Sequence, residues 1–358
     1  MKWTKQRLNN LFFFLGVAAV VVMLLTFDVS FVELWHHLCH AGYWLIPIIG
    51  VWIFVYAVNA WSWWCIIKGN VGSEELAKRQ LSNSKFFFRV YKLTITGYAL
   101  NYATPVGGLG GEPYRIMELS KHIDKQHATS SVILYAMMHF FGHFIFWFVS
   151  IFIYLALVAV GDMPLTTAIA IVLGIIIVFC LVAFYLFSKG YRNGLVVKTI
   201  RWIGKIPGLK GWSTRFSERH AEALHNIDTQ IASLYGNDRR AFWQSLFLEF
   251  FSRVVQSSEV LFMLLLFGID NGGGFSGIAI TYLHSILIVA FTTLFANLIG
   301  FLPMQLGVQE GGFVLSIAAL GLSAALGIFV SIICRVREIF WIIVGILLMK
   351  VDKSESPS

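Results

Sequence analysis

Apolar residues along this chain collect into runs of helical length, separated by short polar breaks. The long runs lie near 9–27, 43–67, 130–160, 165–187, 242–268, 276–300 and 325–349, and a shorter one lies at 313–322. A helix rises about 1.5 Å per residue, so about 20 residues cross a hydrocarbon core about 30 Å thick. The seven long runs are therefore predicted to span a bilayer. Composition removes the soluble alternative: 58% of the residues are hydrophobic, only 13% are charged, and the mean hydropathy is +0.74. Soluble domains carry about twice that share of charge. The pattern predicts an all-α polytopic membrane protein, a single integral domain over 1–358 with about seven to eight transmembrane helices.

The first run follows Lys2, Lys5 and Arg7, as the apolar core of a secretory signal would. The residues after it, "TFDVSFVELW", show no small-residue cleavage pattern, so an uncleaved anchor is expected. Cys39, Cys65, Cys180 and Cys334 lie in or beside different runs without metal-ligand spacing, and their expected role is core packing.

Charge orients the runs. With the N-terminus in the cytoplasm, the loops 68–92, 113–128 and 188–241 and both termini fall on one side, which holds 24 of the 27 Lys and Arg residues. The opposite loops, near 28–42, 161–164 and 269–275, carry Asp28, Glu33, Asp162 and Asp270 but no Lys or Arg. The positive-inside rule then predicts a cytoplasmic-membrane protein with both termini inside.

This topology makes the stretch "TPVGGLGGEPYR", Thr104 to Arg115, unusual. Lys92 and the Arg115, Lys121, Lys125 cluster lie on the same side, so the 93–112 segment is predicted to enter the bilayer and return. Pro105, Gly107, Gly108, Gly110 and Gly111 shape the break, and Pro113 suits the first turn of a helix to about His122. Non-helical backbone at that depth needs protein cover or a wet cavity, because lipid cannot satisfy its amides.

A weaker echo appears 198 residues later in "PMQLGVQE", where Pro303 and Glu310 repeat the spacing of Pro105 and Glu112, and Gly307, Gly311 and Gly312 lie close by. The same offset maps 43–67 onto 241–265 and 130–151 onto 328–349, in opposite directions across the membrane. An inverted-topology repeat is expected, with halves at 43–160 and 242–349 and sites between interrupted helices near the midplane. The second broken element, 300–322, either dips in from outside or is a broken full span. Charge counting allows both.

The "TPVGGLGGEPYRIMEL" block, with a second Pro/Gly/Glu block before the last run, resembles the flippase-like family named after the transmembrane region of lysylphosphatidylglycerol synthases. The resemblance covers nearly the whole chain. It implies lipid translocation or scrambling, with substrates among aminoacylated phosphatidylglycerol, polyprenyl or dolichyl phosphates, and hopanoids. Multidomain relatives append an aminoacyl-transferase domain; this chain runs to Ser358 without one, so that activity is expected to be absent. Gln305 stands where the second family motif has a glycine.

Polar residues at membrane depth make an independent case, because a charge at a helix centre costs about 2.5 to 3.5 kcal/mol on insertion scales. Glu249, Ser252, Arg253, Gln256 and Glu259 share one helical face, Ser331, Arg335 and Glu338 another, and Tyr135, His139 and His143 a third, while Arg337 points elsewhere. Glu249 with Arg253, and Arg335 with Glu338, have the spacing of structural ion pairs as well as of a pathway. "HFFGH" lacks the glutamate of a zinc-protease helix, so interhelical hydrogen bonding is expected there, with no metal and no cofactor.

The 188–241 segment interleaves Val196, Val197, Ile200 and Ile203 with Lys198, Arg201 and Lys205, as a basic amphipathic helix on an anionic cytoplasmic leaflet would, and a polar helix follows at 213–235. No nucleic-acid-binding motif is present. The reading is a lipid translocase, not an enzyme, moving an anionic, phosphate-bearing lipid or an aminoacylated phospholipid. Arg115, Arg253 or Arg335 would meet the headgroup, and Glu112, Glu249 and Glu310 would gate, take up protons or brace the broken helices. An intramembrane lipid-modifying enzyme, a non-transporting partner of such an enzyme, and a homo-oligomer remain open alternatives.

Overall fold

In a computed structural model, which describes residues 41–79, 84–103, 110–192, 210–219, 239–298 and 308–350 and a few isolated positions between them, the apolar runs form helices. Eleven helices and no strand occur among the described residues. They are α1 (Leu45–Val71), α2 (Ser73–Lys78), α3 (Ser84–Ala103), α4 (Glu112–Leu119), α5 (Lys125–Ala159), α6 (Thr167–Arg192), α7 (Lys210–Arg219), α8 (Arg239–Leu266), α9 (Gly274–Leu298), α10 (Val308–Ala319) and α11 (Ala324–Leu348). The first run, residues 193–197 and 199–203 of the amphipathic stretch, Pro105, Gly107, Gly108, Pro303, Gln305 and Gly307 lie outside the described residues.

Among the described residues, four helical stretches are long and apolar enough to cross a membrane: Gly42–Val71, Lys125–Ala159, Thr167–Lys189 and Gly274–Leu298. The chain is a multi-pass membrane protein. α8 and α11 match two further predicted spans in length. Their ionisable groups set them apart: Glu249, Arg253 and Glu259 in one, Arg335, Arg337 and Glu338 in the other. α6 is the most lipid-like: only 6% of its most apolar stretch is buried, and Ile171, Ile175, Val178, Leu181 and Leu186 all stand exposed. A helix apolar on all sides has no core to seek and suits hydrocarbon.

α1 and α8 form the spine and cross through small residues, with Ser62 Oγ 2.9 Å from Ser245 Oγ and 3.2 Å from the Ser245 carbonyl. Small side chains let backbones approach where lipid provides no hydrophobic drive for association. Around the spine, α3 packs on α11 and α5 on α9, while α4 rests on α3 and α5, and α10 on α9 and α11. At the α3–α11 crossing, a Cβ on Gly345 would sit 2.4 Å from Ala99 Cβ. Asp124 starts α5 as its N-cap, its carboxylate accepting from the Gln126 and His127 amides at 2.9 and 3.1 Å. Cys65, Cys180 and Cys334 are buried as expected, but Cys39 is exposed and packs no core.

α4 runs back along α3. Gly111 lies against Gly97 and Arg115 against Leu93 and Thr94, so one position advances as the other recedes. Asn101 Oδ1 accepts from the Gly111 amide at 2.6 Å and ties the end of α3 to the start of α4. The helical arm begins at Ser84, nine residues before the predicted segment, because the Phe86, Val90 and Leu93 stripe buries against Trp64 and Leu119.

Candidate functional site

A cavity of about 410 Å³ with charged side chains in its wall opens at the centre of the bundle, walled by α1, α3, α4, α5, α8, α9, α10 and α11. Of the residues singled out above, Glu112, Arg115, His139, His143, Arg253, Gln256, Glu259 and Glu338 line it. Glu249 stands one layer behind, reached through His139 and Arg253, and Glu310 with Arg335 lies beyond its edge.

Three ion-pair groups stud the wall. In the first, Arg115 Nη1 donates to Glu112 Oε1 at 2.9 Å and Nη2 to the Thr94 carbonyl at 3.2 Å, while the guanidinium sits 5.0 to 5.6 Å from the rings of Trp63, Tyr98 and Tyr135. The aromatic faces and carbonyls absorb its charge, so Arg115 fastens α4 to α3. In the second, Arg253 Nη1 lies 3.2 Å from Glu249 Oε2 and also donates to the Glu249 carbonyl, while Nη2 donates to the His139 carbonyl. Gly142 makes room for this pair: a Cβ there would come within 3.0 Å of Arg253 Nη1 and of Glu249 Cβ.

The third group is a chain. Glu310 Oε1 accepts from Arg335 Nε, and Glu338 Oε2 from Arg335 Nη1, both at 2.8 Å; Gln309 Nε2 donates to the other Glu338 oxygen at 3.0 Å. Arg337 Nη1 lies 3.8 Å from Glu338, and its Nε and Nη2 grip Glu259 at 2.8 and 3.3 Å. Trp52 completes it, donating to Glu259 at 2.9 Å and lying under the Arg337 guanidinium at 4.0 Å.

The helical spacing placed Arg337 on a separate face from Arg335, and it does turn the other way. It turns into α8, however, so both arginines are buried. Arg337, Trp52, Asn59, Tyr98, Asn101 and Gln309 are wall residues that sequence reasoning missed. Asn59, inside the otherwise apolar 43–67 run, was the visible signal.

Five buried or half-buried carboxylates face four guanidiniums in these groups, leaving one negative charge in surplus when both histidines are neutral. Several polar atoms of the wall are buried with no hydrogen-bond partner among the described residues: Asn59 Oδ1, Glu112 Oε2, His143 Nδ1 and Arg253 Nε, with Glu249 Oε1 behind. Buried polar atoms are normally bonded, and a ligand that uses them recovers their desolvation cost.

A family profile described as the lysylphosphatidylglycerol synthase TM region matches residues 13–346 of the chain. The chain belongs to that family. The match covers both Pro/Gly/Glu blocks and all the ion-pair groups, and no other domain is detected. Curated proteins and solved structures yield no match. Within the family frame, the cavity is a charged compartment in a membrane protein related to lipid synthesis or flipping.

Proposed function

We propose that the protein is a lipid translocase that carries a phosphate-bearing headgroup through the central cavity between the leaflets of the cytoplasmic membrane. The observation that carries this reading is a cavity holding both signs of unspent polar capacity, Arg253 Nε against Glu112 Oε2 and Asn59 Oδ1, inside a lipid-embedded bundle. The guanidinium suits a phosphate oxygen, and the surplus carboxylate suits an ammonium, as in an aminoacylated phospholipid. On the other side of α9, an apolar cavity of about 290 Å³ lined by Leu173, Ile176, Phe291 and Leu294 suits hydrocarbon.

Alternating access between two inverted halves is the mechanism we infer. A shift of 198 residues carries α1, α3, α4 and α5 onto α8, α9, α10 and α11. It also exchanges the α3–α11 packing with that of α9–α5. Each short helix opens on a glutamate held by an arginine, Glu112 by Arg115 and Glu310 by Arg335. With α4 lying back along α3, this supports a hairpin entering from the cytoplasmic side that both termini share. Glu310, with 31% of its side chain exposed, and Glu112, with 15%, are the gating carboxylates of the two short helices.

The test is a leaflet-resolved assay in protein-loaded liposomes with headgroup-labelled phosphatidylglycerol, its aminoacyl ester and a neutral glycolipid. The aminoacyl ester is expected to cross about tenfold faster than in protein-free liposomes, a gain of about 1.4 kcal/mol in barrier, and the glycolipid at the protein-free rate. Equal slow movement of all three contradicts the reading, and a chemically altered lipid in the same vesicles points to an enzyme instead.

A further inference from the structure

The second ion-pair group contains a proton-binding dyad. His139 Nδ1 lies 2.9 Å from Glu249 Oε2 and 3.1 Å from Tyr98 Oη, and Tyr98 Oη lies 3.2 Å from Tyr135 Oη. An ionised carboxylate only accepts, so the hydrogen on Nδ1 belongs to the Glu249 contact, and the Tyr98 hydroxyl hydrogen turns to Tyr135. That fixes the tautomer. Nε2 is left as the basic nitrogen, on a ring with 28% of its surface open to the cavity, while Glu249 behind it is wholly buried. The carboxylate fixes the orientation and tautomer of the imidazole and leaves its other nitrogen as the proton acceptor.

The groups facing this imidazole come from four helices. Tyr98 approaches from α3, Tyr135 and His143 from α5, Glu249 and Arg253 from α8, and Arg115 of α4 acts from farther off. Arg253 touches both members of the dyad, through the Glu249 carboxylate and the His139 carbonyl, and its buried Nε beside the cavity has no hydrogen-bond partner among the described residues. The site therefore has two charge arrangements. With His139 neutral, Glu249 is balanced by Arg253. With a proton on Nε2, the imidazolium balances Glu249, and the positive charge of Arg253 is uncompensated.

We propose that His139, held by Glu249, takes up a proton from the cavity at Nε2, and that this proton crosses with the headgroup because its uptake releases Arg253 to bind a phosphate oxygen. The proposal rests on the translocase reading and supplies its energy source. The proton comes from water on the acidic side, no covalent bond to the lipid forms or breaks, and linkage makes headgroup binding and proton binding favour each other.

Two measurements test it separately from the translocase reading. In liposomes with an imposed pH gradient, wild-type transfer toward the alkaline side is expected to rise about fivefold or more, while His139→Gln is expected to move lipid no faster with the gradient than without it. Wild-type transfer indifferent to the gradient overturns the proposal and leaves translocation standing. In the purified protein, pH-jump infrared difference spectra with isotope-labelled histidine are expected to show an imidazolium signal that grows as the pH falls. That signal should vanish in His139→Gln and persist in His143→Gln. Its absence from the wild type overturns the proposal even where no lipid moves; its presence in a protein that moves no lipid upholds the proton site and sinks the translocase reading.

Discussion

Arg337→Ala is expected to destabilise the protein by about 3 to 5 kcal/mol, the usual effect of stranding one member of a buried ion pair. Glu259 is buried and accepts from Arg337 Nε, Arg337 Nη2 and Trp52 Nε1. Without the guanidinium, its carboxylate keeps only the indole donor, and the Trp52 face loses its cation. The change should appear as a large fall in the thermal unfolding midpoint in detergent, with loss of monodisperse protein. Arg337→Met together with Glu259→Gln should recover most of the loss, since neither residue then carries a charge into the bundle. Arg337→Ala unfolding at the wild-type midpoint would show that the pair is not buried as described.

Gly97→Ala is expected to unseat the α4 arm, although it adds a single methyl group. The new Cβ would lie 2.0 Å from Arg115 Nε and 2.6 Å from its Cζ, and the Gly97 carbonyl is in turn 2.1 Å from where a Cβ on Gly111 would sit. Overpacking a tight contact costs about 1 to 3 kcal/mol, and here relief requires Arg115 to leave its aromatic box. The clash is with one side chain, so the effects must be non-additive. Gly97→Ala with Arg115→Ala should unfold no earlier than Arg115→Ala alone. Additive losses in thermal unfolding would contradict the α3–α4 contact.

The bundle was largely legible from the sequence because the bilayer imposes a length on each apolar run. The runs at 43–67, 130–160, 165–187 and 276–300 recur as α1, α5, α6 and α9 within a few residues. The α8 stripe was legible for the same reason: Glu249, Ser252, Arg253 and Glu259 fall on one face and are all buried. Partners across helices were not. Helical spacing linked Glu249 to Arg253 and Arg335 to Glu338, and both pairs form. Nothing local announced that Arg337 reaches Glu259, 78 positions away, or that His139 reaches Glu249 over 110. Aromatic residues hid the rest. Trp52, Tyr98 and Tyr135 look like ordinary membrane residues, and only packing makes them cradles for Arg337 and Arg115. Small residues were half legible: Gly111 of the glycine-rich block meets Gly97, which, like Gly345 at the α3–α11 crossing, lies outside any such block.

If the central cavity is the lipid path, filling it must stop transfer without unfolding the bundle. Ala136 lines the cavity on α5, whereas Ile175 stands on the outer face of α6, 63% exposed. Leaflet transfer of the aminoacylated lipid is the direct measurement, made on Ala136→Trp and Ile175→Trp proteins that elute as the wild type does. Ala136→Trp is predicted to fall to the rate of protein-free liposomes, and Ile175→Trp to match wild type. Wild-type transfer by Ala136→Trp would contradict a route through the cavity.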